Sequence, residues 1–571
     1  MKRRIAYRIS FENPNDHLFD IRLHFRARAD RVELTLPVWR PGRYLIQNYA
    51  ANVREWLALD ASGQPLKLEK IEKSRWALNC EKGANVEVRY RYFAGVIDAG
   101  SSFVGTDEIY FNGSNLFMMV EGERSVPVTL EVRFSPEWKF ATQLERDEEG
   151  KFEARDYDHL IDSPFLASPT LRVHTFTEAG CDVTMAFQGG ERIDTSQFIE
   201  PVRKIVAGHA RLFHGLPLTA YKFLYHLGDR WHGVEHENSC SIIADHWELL
   251  GAGEGSDGYD HLLAITSHEF FHLWNVKRIL PAAFAPYDYS VETPTRLLWL
   301  MEGVTSFYGE KMLLRSGLWS PARYLKHLAK EIDVLEASAA RNHLSLSQAS
   351  FDGWLQEPAQ MHDKANAWIS FYNKGEIVGA LLDIAIRRET GGAKSLDDVM
   401  RDLWIRYGMT GKGLEEDALE VAVRRTAGVA LHNFFRRFVH GTAPLPYEEL
   451  FSVAGIRYER RDMKKGNFGG RLDSRSGKLF LDATVEGGAA RSGGLLNGDE
   501  ILALDGLRVS GSAEVDQILA AHTDSSNIPI TIARNRVVST LSIPIALHGK
   551  ETVLEEQGSS EQSLKGWLDH D

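Results

Sequence analysis

The stretch His268-Glu269-Phe270-Phe271-His272 reads H-E-x-x-H and lies inside an apolar run at about residues 260–277. In a helix, residues four apart lie on one face, about 6 Å apart along the axis. The two imidazoles can therefore bind one Zn²⁺, with Glu269 beside them as a candidate general base. The alternative is a core helix with two satisfied histidines. Buried polar side chains need partners, however, and a metal would supply one.

A third ligand is expected downstream, because catalytic zinc usually has three protein ligands and one position open to water. Thr293-Pro294 predicts a helix start, and the apolar stretch after it contains one acidic residue, Glu302. We predict that Glu302 completes the site for one Zn²⁺ per chain. Tyr308 and Glu310 are fallback positions, and a surface glutamate at a helix bend is the alternative interpretation of Glu302.

Several motifs in the same order resemble those of the glycyl aminopeptidase family of gluzincin zinc metallopeptidases. Besides H-E-x-x-H and W-L-x-E-G-x-T, they are Trp39-Arg40-Pro41-Gly42-Arg43-Tyr44, Asp162-Ser163-Pro164, Gly233-Val234-Glu235-His236-Glu237-Asn238-Ser239 and Phe371-Tyr372-Asn373-Lys374-Gly375. The resemblance implies a thermolysin-like catalytic domain, a C-terminal PDZ domain and a preference for N-terminal glycine and alanine.

The resemblance also implies roles for single residues. Tyr372 would stabilise the oxyanion, and Glu235 would hold the free α-amine of the substrate through charge-assisted hydrogen bonds. Gly233 and His236 would bind substrate beside Glu235, and residues 239–243 would form the strand that lines the cleft. An interior aromatic residue and a loop carboxylate are the alternatives for Tyr372 and Glu235, and Glu237 is a weaker candidate for the amine.

Four further polar residues lie near these motifs. His232 stands where the family more often has glycine, so it adds an imidazole that could be a stray ligand. Asn275 could orient a ligand from behind. Lys277 and Arg278 are expected to form structural ion pairs.

The composition of the chain limits the classes of partner that it is expected to bind. The net charge of −13 and the pI of about 5.9 argue against nucleic acid or an anionic membrane as a partner. No stretch approaches the roughly 20 apolar residues of a membrane span, and the basic start of the chain lacks the apolar run of a signal peptide. Three widely spaced cysteines are consistent with a reducing, cytoplasmic location. The expected partners are therefore peptides with a free N-terminus.

The chain of 571 residues is too long for one core, and we predict a multidomain α+β protein. Period-two alternation predicts an antiparallel β-sandwich-like domain over residues 1–170, without chemistry of its own. Residues 171–455 are expected to form the thermolysin-like, mostly helical catalytic domain. Residues 456–548 are predicted as a PDZ-like β domain, and residues 549–571 as a polar C-terminal tail that frays, although residues 564–568 could dock.

The predicted PDZ-like domain depends on residues 487–502, which resemble the G-x-A-x-x-G-L-x-x-G-D-x-I core of PDZ domains. Residues 514–522 would form the helix beside a groove for a peptide or an intrachain ligand. Gly477-Lys478-Leu479-Phe480 is the best candidate for a carboxylate-binding loop. A docking module without a ligand is the alternative.

Three functions remain open at this point. The first is a zinc aminopeptidase for small N-terminal residues. The second is a metallo-endopeptidase of the same fold, in which Glu235 is only a cleft carboxylate. The third is a non-catalytic scaffold built on the PDZ-like module, which would have no need of the metal and acid–base residues.

Overall fold

The computed structural model describes residues 4–355, 363–463, 468–522, 526–545, 549–557 and 567–569. It contains a β-rich N-terminal domain, a mostly helical middle and a β-rich C-terminal part. The coarse α+β prediction is therefore confirmed. No helix among these residues is both long enough and apolar enough to span a bilayer.

The N-terminal domain is built from three sheets that share one hydrophobic core. In spatial order, the eight-stranded sheet contains Glu145–Arg146, Phe152–Ala154, Val128–Val132, Ile5–Ser10, Leu18–Arg26, Asn85–Phe93, Val53–Leu59 and Pro65–Leu66. The two four-stranded sheets contain Lys139–Ala141, Phe165–Ser168, Ile109–Phe111 and Ser102–Val104, and Met119–Val120, Arg31–Thr35, Arg75–Asn79 and Leu68–Glu72. The antiparallel prediction fails at one place, since Ile5–Ser10 and Val128–Val132 pair in parallel.

The middle of the chain begins with a five-stranded mixed sheet. Its strands, in spatial order, are Arg172–Glu178, Cys181–Gln188, Ala220–Gly228, Ser239–Asp245 and His232–Glu235. The predicted strand at 239–243 is thus present but lies one place inside the sheet. The strand at the edge, where a cleft can open, is His232–Glu235, and we call it the edge strand.

Helices follow and cover this sheet. They are Ile199–Phe213, His246–Leu249, Asp257–Phe271, Val304–Arg315, Pro321–Ala337, Leu346–Phe351, Lys364–Ala367, Phe371–Glu389, Leu396–Leu403, Ala418–Ala427, His432–Phe434 and Tyr447–Val453. We call Asp257–Phe271 the motif helix, Val304–Arg315 the glutamate helix and Phe371–Glu389 the tyrosine helix, after the candidate site residues that they carry or follow.

The C-terminal part contains a separate core over residues 468–545. Its strands are Gly470–Arg475, Lys478–Thr484, Glu500–Leu504, Leu507–Arg508, Ser526–Arg534 and Val537–Ile545, with helices Ala489–Ser492 and Ser512–Ala521. Residues 477–480 form a turn and the start of the inner strand Lys478–Thr484. They do not belong to the open edge strand, Gly470–Arg475. They are therefore poorly placed for the carboxylate-binding role predicted for them.

Parts of the predicted tail, residues 549–557 and 567–569, have described structure where fraying was predicted. Strand Gly549–Glu556 pairs with Ile456–Met463 along its whole length. Trp567 is 1% exposed, and its Nε1 donates to Asp383 Oδ2 at 2.9 Å. The prediction of docking at residues 564–568 is met at Trp567 and Leu568, whereas residues 558–566 lie outside the described residues.

A buried ion pair joins the N-terminal domain to the middle of the chain. Lys277 Nζ lies 2.8 Å from Asp162 Oδ1, and the N–H of Glu237 donates to Asp162 Oδ2 at 2.7 Å. Burial acts to raise the pKa of Asp162, but Lys277 and His236 hold that pKa well below its usual range. Asp162 of the D-S-P motif therefore stabilises the interface between the two domains next to the end of the edge strand.

We expect Asp162→Ala to lower the free energy of unfolding by about 3 to 5 kcal/mol, because Lys277 is left buried without its partner. Chemical unfolding followed by tryptophan fluorescence measures this. The pKa of Asp162 is lower in the folded state than in the unfolded state. Its contribution to the free energy of unfolding is therefore fully present above the unfolded-state pKa of about 3.9, and it is lost as the pH falls below that value. Glu149→Ala, which breaks the exposed pair with Lys151, is the control. Equal losses in both variants would contradict the assignment.

Candidate active site and metal centre

The motif helix presents its two histidines on one face. The Nε2 atoms of His268 and His272 lie 3.1 Å apart. The helix is shorter than predicted: it ends at Phe271, with His272 as the C-cap. Residues 273–277 turn away from the helix axis, which brings Asn275 back toward His272.

Glu302 reaches the same point from the following helical segment. Its Oε2 lies 3.4 Å from His272 Nε2 and 3.7 Å from His268 Nε2. Glu302 lies in a π-helical turn, Trp299–Gly303, just before the glutamate helix. Such turns are rare and frequently occur at functional sites.

The helix that contains Glu302 begins later than Thr293-Pro294 suggested. Residues 292–295 have no regular structure. Instead, the backbone N–H of Arg296 donates to the Glu416 carboxylate at 3.0 and 3.2 Å, and Thr295 Oγ1 donates to Glu416 Oε1 at 3.0 Å. A tertiary contact thus supplies the helix cap that local sequence was expected to give.

The fallback ligands lie elsewhere. Tyr308 donates to Asp397 Oδ1 at 2.9 Å, and its ring stacks on Phe271. Glu310 belongs to a separate group with His327 and Glu376. Of the three downstream candidates, the structure brings only Glu302 to the histidine pair.

Hydrogen bonds behind the ligands fix their orientation. His272 Nδ1 lies 2.7 Å from the Asn275 carbonyl oxygen, so it donates there and turns the lone pair of Nε2 toward His268. The Asn275 side chain donates to Leu300 O at 2.8 Å and to Thr305 Oγ1 at 3.0 Å. Asn275 therefore ties the motif helix to the turn that holds Glu302, as a residue behind the ligands should.

The charges around His268, His272 and Glu302 favour the binding of a cation between them. Burial acts to lower the pKa of His272, yet the carboxylates of Glu302 and Glu235 raise it to about 10. Burial likewise opposes ionisation of Glu302, but His272 and His268 hold its pKa well below the usual range. Two nitrogen lone pairs and a carboxylate oxygen converge within 3.7 Å. This donor set matches His₂Glu catalytic zinc sites.

Glu269 lies between the histidines and the edge strand. It is 5% exposed, and its Oε2 accepts no hydrogen bond from the described residues. A Cβ atom built on Gly233 would lie 1.9 Å from Glu269 Oε1. Only glycine fits at position 233, because any side chain would displace the candidate base.

Glu235 closes the other end of the edge strand. It is 4% exposed, and its Oε1 is buried without a hydrogen-bond partner among the described residues. Gly42, with φ of +81°, packs so closely that a Cβ atom there would lie 2.3 Å from Glu235 Oε2. Glu235 is thus held as an unpaired carboxylate beside the other site residues.

The residues adjacent to Glu235 contact the N-terminal domain rather than the candidate metal site. His236 Nδ1 lies 3.2 Å from Asp162 Oδ1, so His236 supports the domain interface. Glu237, the weaker candidate for the amine, pairs with Arg155. His232 pairs with Asp98 of the N-terminal domain and is not among the residues grouped with His268.

Two tyrosines flank the histidines. Tyr372, in the first turn of the tyrosine helix, is 37% exposed, and its ring centroid lies 6.3 Å from that of His268. Tyr44 is buried, and its hydroxyl donates to Glu302 Oε1 at 2.7 Å. Burial and the Glu302 carboxylate raise the pKa of Tyr44 well above its usual value, so the hydroxyl keeps its proton.

Tyr44 and Gly42 were not predicted as site residues, and the expectation that the N-terminal domain has no chemistry of its own is wrong in this respect. Residues 38–44 leave that domain, and Val38, Trp39 and Tyr44 pack in the core of the middle domain. Trp39 Nε1 donates to Asp288 O at 2.7 Å, which anchors the segment there. The W-x-P-G-x-Y motif was the available signal.

Comparisons with known proteins find similar domains and a similar fold. Residues 6–169 match the Peptidase M61 N-terminal domain, and residues 261–378 match M61 glycyl aminopeptidase. The crystal structure of an aminopeptidase N family protein from Idiomarina loihiensis is similar over 99% of this chain and 100% of that chain, with 29% identity and a TM-score of 0.93. No curated protein sequence matches.

A second solved structure is much less similar. An M1 zinc metallopeptidase from Deinococcus radiodurans, in a mutant form bound to a Tyr-Ser-Ala substrate, matches 78% of this chain and 95% of that chain. Its identity is 13% and its TM-score 0.47, too low to support an inference.

The fold, the site and the family matches define a metallo-aminopeptidase. Residues 6–169 and 261–378 of the chain match the two domains of the M61 glycyl aminopeptidase family. A scaffold without catalytic activity is thereby excluded as its main role.

We expect Tyr44→Phe to weaken metal binding by about 10- to 100-fold, because Glu302 loses the hydrogen bond that orients it. Metal retention during titration with a chelator measures this. Tyr157→Phe is the matched control, since Tyr157 also donates one buried hydrogen bond, to Phe117 O at 2.7 Å, within the N-terminal core. If the two variants release metal alike, Tyr44 does not orient the ligand.

Proposed function

We propose that this peptidase is a zinc aminopeptidase that releases small N-terminal residues, glycine and alanine first, from peptides. The observation that supports it most is the convergence of His268, His272 and Glu302 beside two carboxylates, Glu269 and Glu235, each of which has one buried oxygen without a hydrogen-bond partner among the described residues. When bound, Zn²⁺ would supply Lewis acidity and an activated water.

Glu269 is placed to act as the general base. Burial, together with the nearby carboxylates of Glu235 and Glu302, raises the pKa of Glu269 well above its usual value, although His272 opposes this. A raised pKa suits a carboxylate that takes a proton from water and later returns it to the leaving amine. Tyr372 borders the cleft beside His268, where its hydroxyl can donate to the oxygen of the scissile carbonyl.

Glu235 is the proposed anchor for the α-amine. A protonated amine would pair with its free Oε1 and relieve the cost of burying an unpaired carboxylate. Glu235 lies two residues beyond Gly233, which touches Glu269. That short spacing leaves room for about one substrate residue between the amine and the reacting carbonyl.

Aromatic side chains support a preference for small residues. The ring of Tyr44 stacks on Phe284 and packs edge-on against Phe371 and Trp354, with centroids 6.0 to 6.2 Å away. Together with Gly42, this group occupies the space beside Glu235 and Glu302. A bulky N-terminal side chain would have to displace buried rings.

We further propose that the C-terminal domain is PDZ-like. An open edge strand, Gly470–Arg475, lies beside helix Ser512–Ala521, as a peptide groove requires. The domain is fixed to the middle of the chain through Asn366, which donates to Thr484 O at 2.8 Å and accepts from the N–H of Glu486 at 2.7 Å. A cytoplasmic location is consistent with free Cys80, Cys181 and Cys240.

We expect Glu269→Gln to retain metal and to lose about 10²- to 10⁴-fold in turnover, because glutamine cannot accept the proton. Hydrolysis of glycine amides, measured together with metal content, tests this. Full activity in Glu269→Gln would remove Glu269 as the base. Loss of the metal would show instead that Glu269 is needed for the binding site itself.

We expect Glu235→Ala to lose at least tenfold in kcat/KM on peptides with a free amine, the size of one charge-assisted hydrogen bond. N-acetylated peptides should be poor substrates for the unaltered enzyme. Glu237→Ala is the control, since Glu237 pairs with Arg155. Rapid cleavage of N-acetylated peptides within the chain would favour the endopeptidase alternative.

A further inference from the structure

A large cavity lies directly beyond the candidate active site. It has a volume of about 1130 Å³ and is lined by parts of the motif helix, the glutamate helix, helix Pro321–Ala337 and strand Gly549–Glu556. Ala264 and His261 in its wall lie one and two turns before His268 on the motif helix. One turn rises about 5.4 Å, so the near wall is within reach of a bound peptide.

The lining of this cavity is strongly acidic. Among the described residues, nine carboxylates line it, against three lysine or arginine side chains. Part of this charge is neutralised within the cavity, since Arg323 pairs with Asp257 and Asp260. Asp333 pairs with Arg460, and Glu555 pairs with Arg457. Glu310 and Glu331, in contrast, have no lysine or arginine partner within 4.0 Å among the described residues.

Three residues of this lining, Glu310, His327 and Glu331, form a group with the buried Glu376, which we call the acidic pocket. His327 Nε2 lies 2.7 Å from Glu376 Oε1, and Asn373 Nδ2 donates to Glu331 Oε2 at 2.7 Å. Glu310 Oε2 is shielded from solvent and accepts no hydrogen bond from the described residues.

His327 is the one cationic group of the acidic pocket among the described residues, because, against the effect of burial, Glu376, Glu310 and Glu331 raise its pKa to about 9. In the part of the chain that the structure describes, no lysine or arginine nitrogen lies within 4.0 Å of its three carboxylates, although Lys330 acts on Glu331 from farther away. Burial and the neighbouring Glu376 raise the pKa values of Glu310 and Glu331. One imidazole therefore faces three carboxylates, and a second cationic group would relieve this repulsion.

The path of a bound peptide leads toward this pocket. With its amine at Glu235 and its first carbonyl near Glu269, the peptide runs along the edge strand in the direction of His232. The next residue in that direction is Trp231, whose ring stacks on that of His261 at 4.0 Å. Since His261 lines the cavity, a peptide held in this way would place the residues after the cleaved bond next to it.

Building on the proposed aminopeptidase function, we propose that the acidic pocket selects peptides with lysine or arginine shortly after the cleaved bond. A basic side chain in the cavity would pair with Glu310 and Glu331 through charge-assisted hydrogen bonds. A second metal ion fits less well. The His327 nitrogen is already hydrogen-bonded to Glu376, and the cavity is far larger than an ion requires.

The test compares Gly-Lys-Gly and Gly-Gly-Lys with the same peptides containing norleucine, which has a similar chain without the charge. We expect kcat/KM to favour a lysine peptide by about tenfold or more, the size of one charge-assisted hydrogen bond. Glu310→Gln and Glu331→Gln should each reduce this ratio. Glu389→Gln, at the exposed end of the tyrosine helix, should leave it unchanged.

Equal rates on lysine and norleucine peptides would overturn the proposal. So would two metal ions per chain, one of which is lost in His327→Ala. If no peptide with free N-terminal glycine is cleaved, the aminopeptidase proposal fails instead. Calorimetric binding of the same peptides to the Glu269→Gln chain then still decides the preference, because equal affinities contradict it.

Discussion

The meeting of Glu302 with His268 and His272 is the constraint on which the rest of the site depends. Two imidazole nitrogens 3.1 Å apart and a carboxylate oxygen within 3.7 Å lie together, with His272 and Glu302 buried and His268 partly exposed. Such a set is costly to bury unless a cation pairs with it. The surrounding contacts hold these three side chains together rather than letting them separate.

Several contacts in and around the middle domain hold His268, His272 and Glu302 close together. Asn275 joins the motif helix to the turn before the glutamate helix, and Tyr44 holds the second oxygen of Glu302. Gly303 packs against Gly375 so closely that a Cβ atom on Gly303 would lie 2.5 Å from the Gly375 Cα atom. The glutamate and tyrosine helices can therefore approach each other beside the ligands.

The N-terminal domain takes part in the site as well as in stability. Its segment 38–44 enters the core of the middle domain, where Gly42 packs on Glu235 and Tyr44 on Glu302. Asp162 secures the same interface through Lys277. Separation of the two domains would therefore remove contacts from both the amine anchor and the metal ligand.

Local patterns predicted the parts of the site that are local. The four-residue spacing in H-E-x-x-H placed His268 and His272 on one face, because helix periodicity fixes that relation. The need for a third zinc ligand on a downstream helix pointed to Glu302, and family resemblance supplied Glu235 and Tyr372. Period-two alternation also predicted β-strands within residues 1–170, and strand Asn85–Phe93, in which every second residue is buried, is an example.

The features that were missed depend on distant contacts. Tyr44 and Glu302 are 258 positions apart in the sequence, so no window of residues shows their hydrogen bond. Glu416 binds the backbone at the start of the helical segment that leads to Glu302, and Trp567 donates to Asp383, 184 positions away in the sequence. Tertiary contacts replaced local capping and composition in these cases.

Anomalous diffraction at the zinc edge, on crystals of the purified zinc-loaded chain, tests the central claim most directly. The account predicts one strong peak per chain, about 2.0 to 2.2 Å from His268 Nε2, His272 Nε2 and a carboxylate oxygen of Glu302. A peak at the acidic pocket alone, or none between these three side chains, would contradict it.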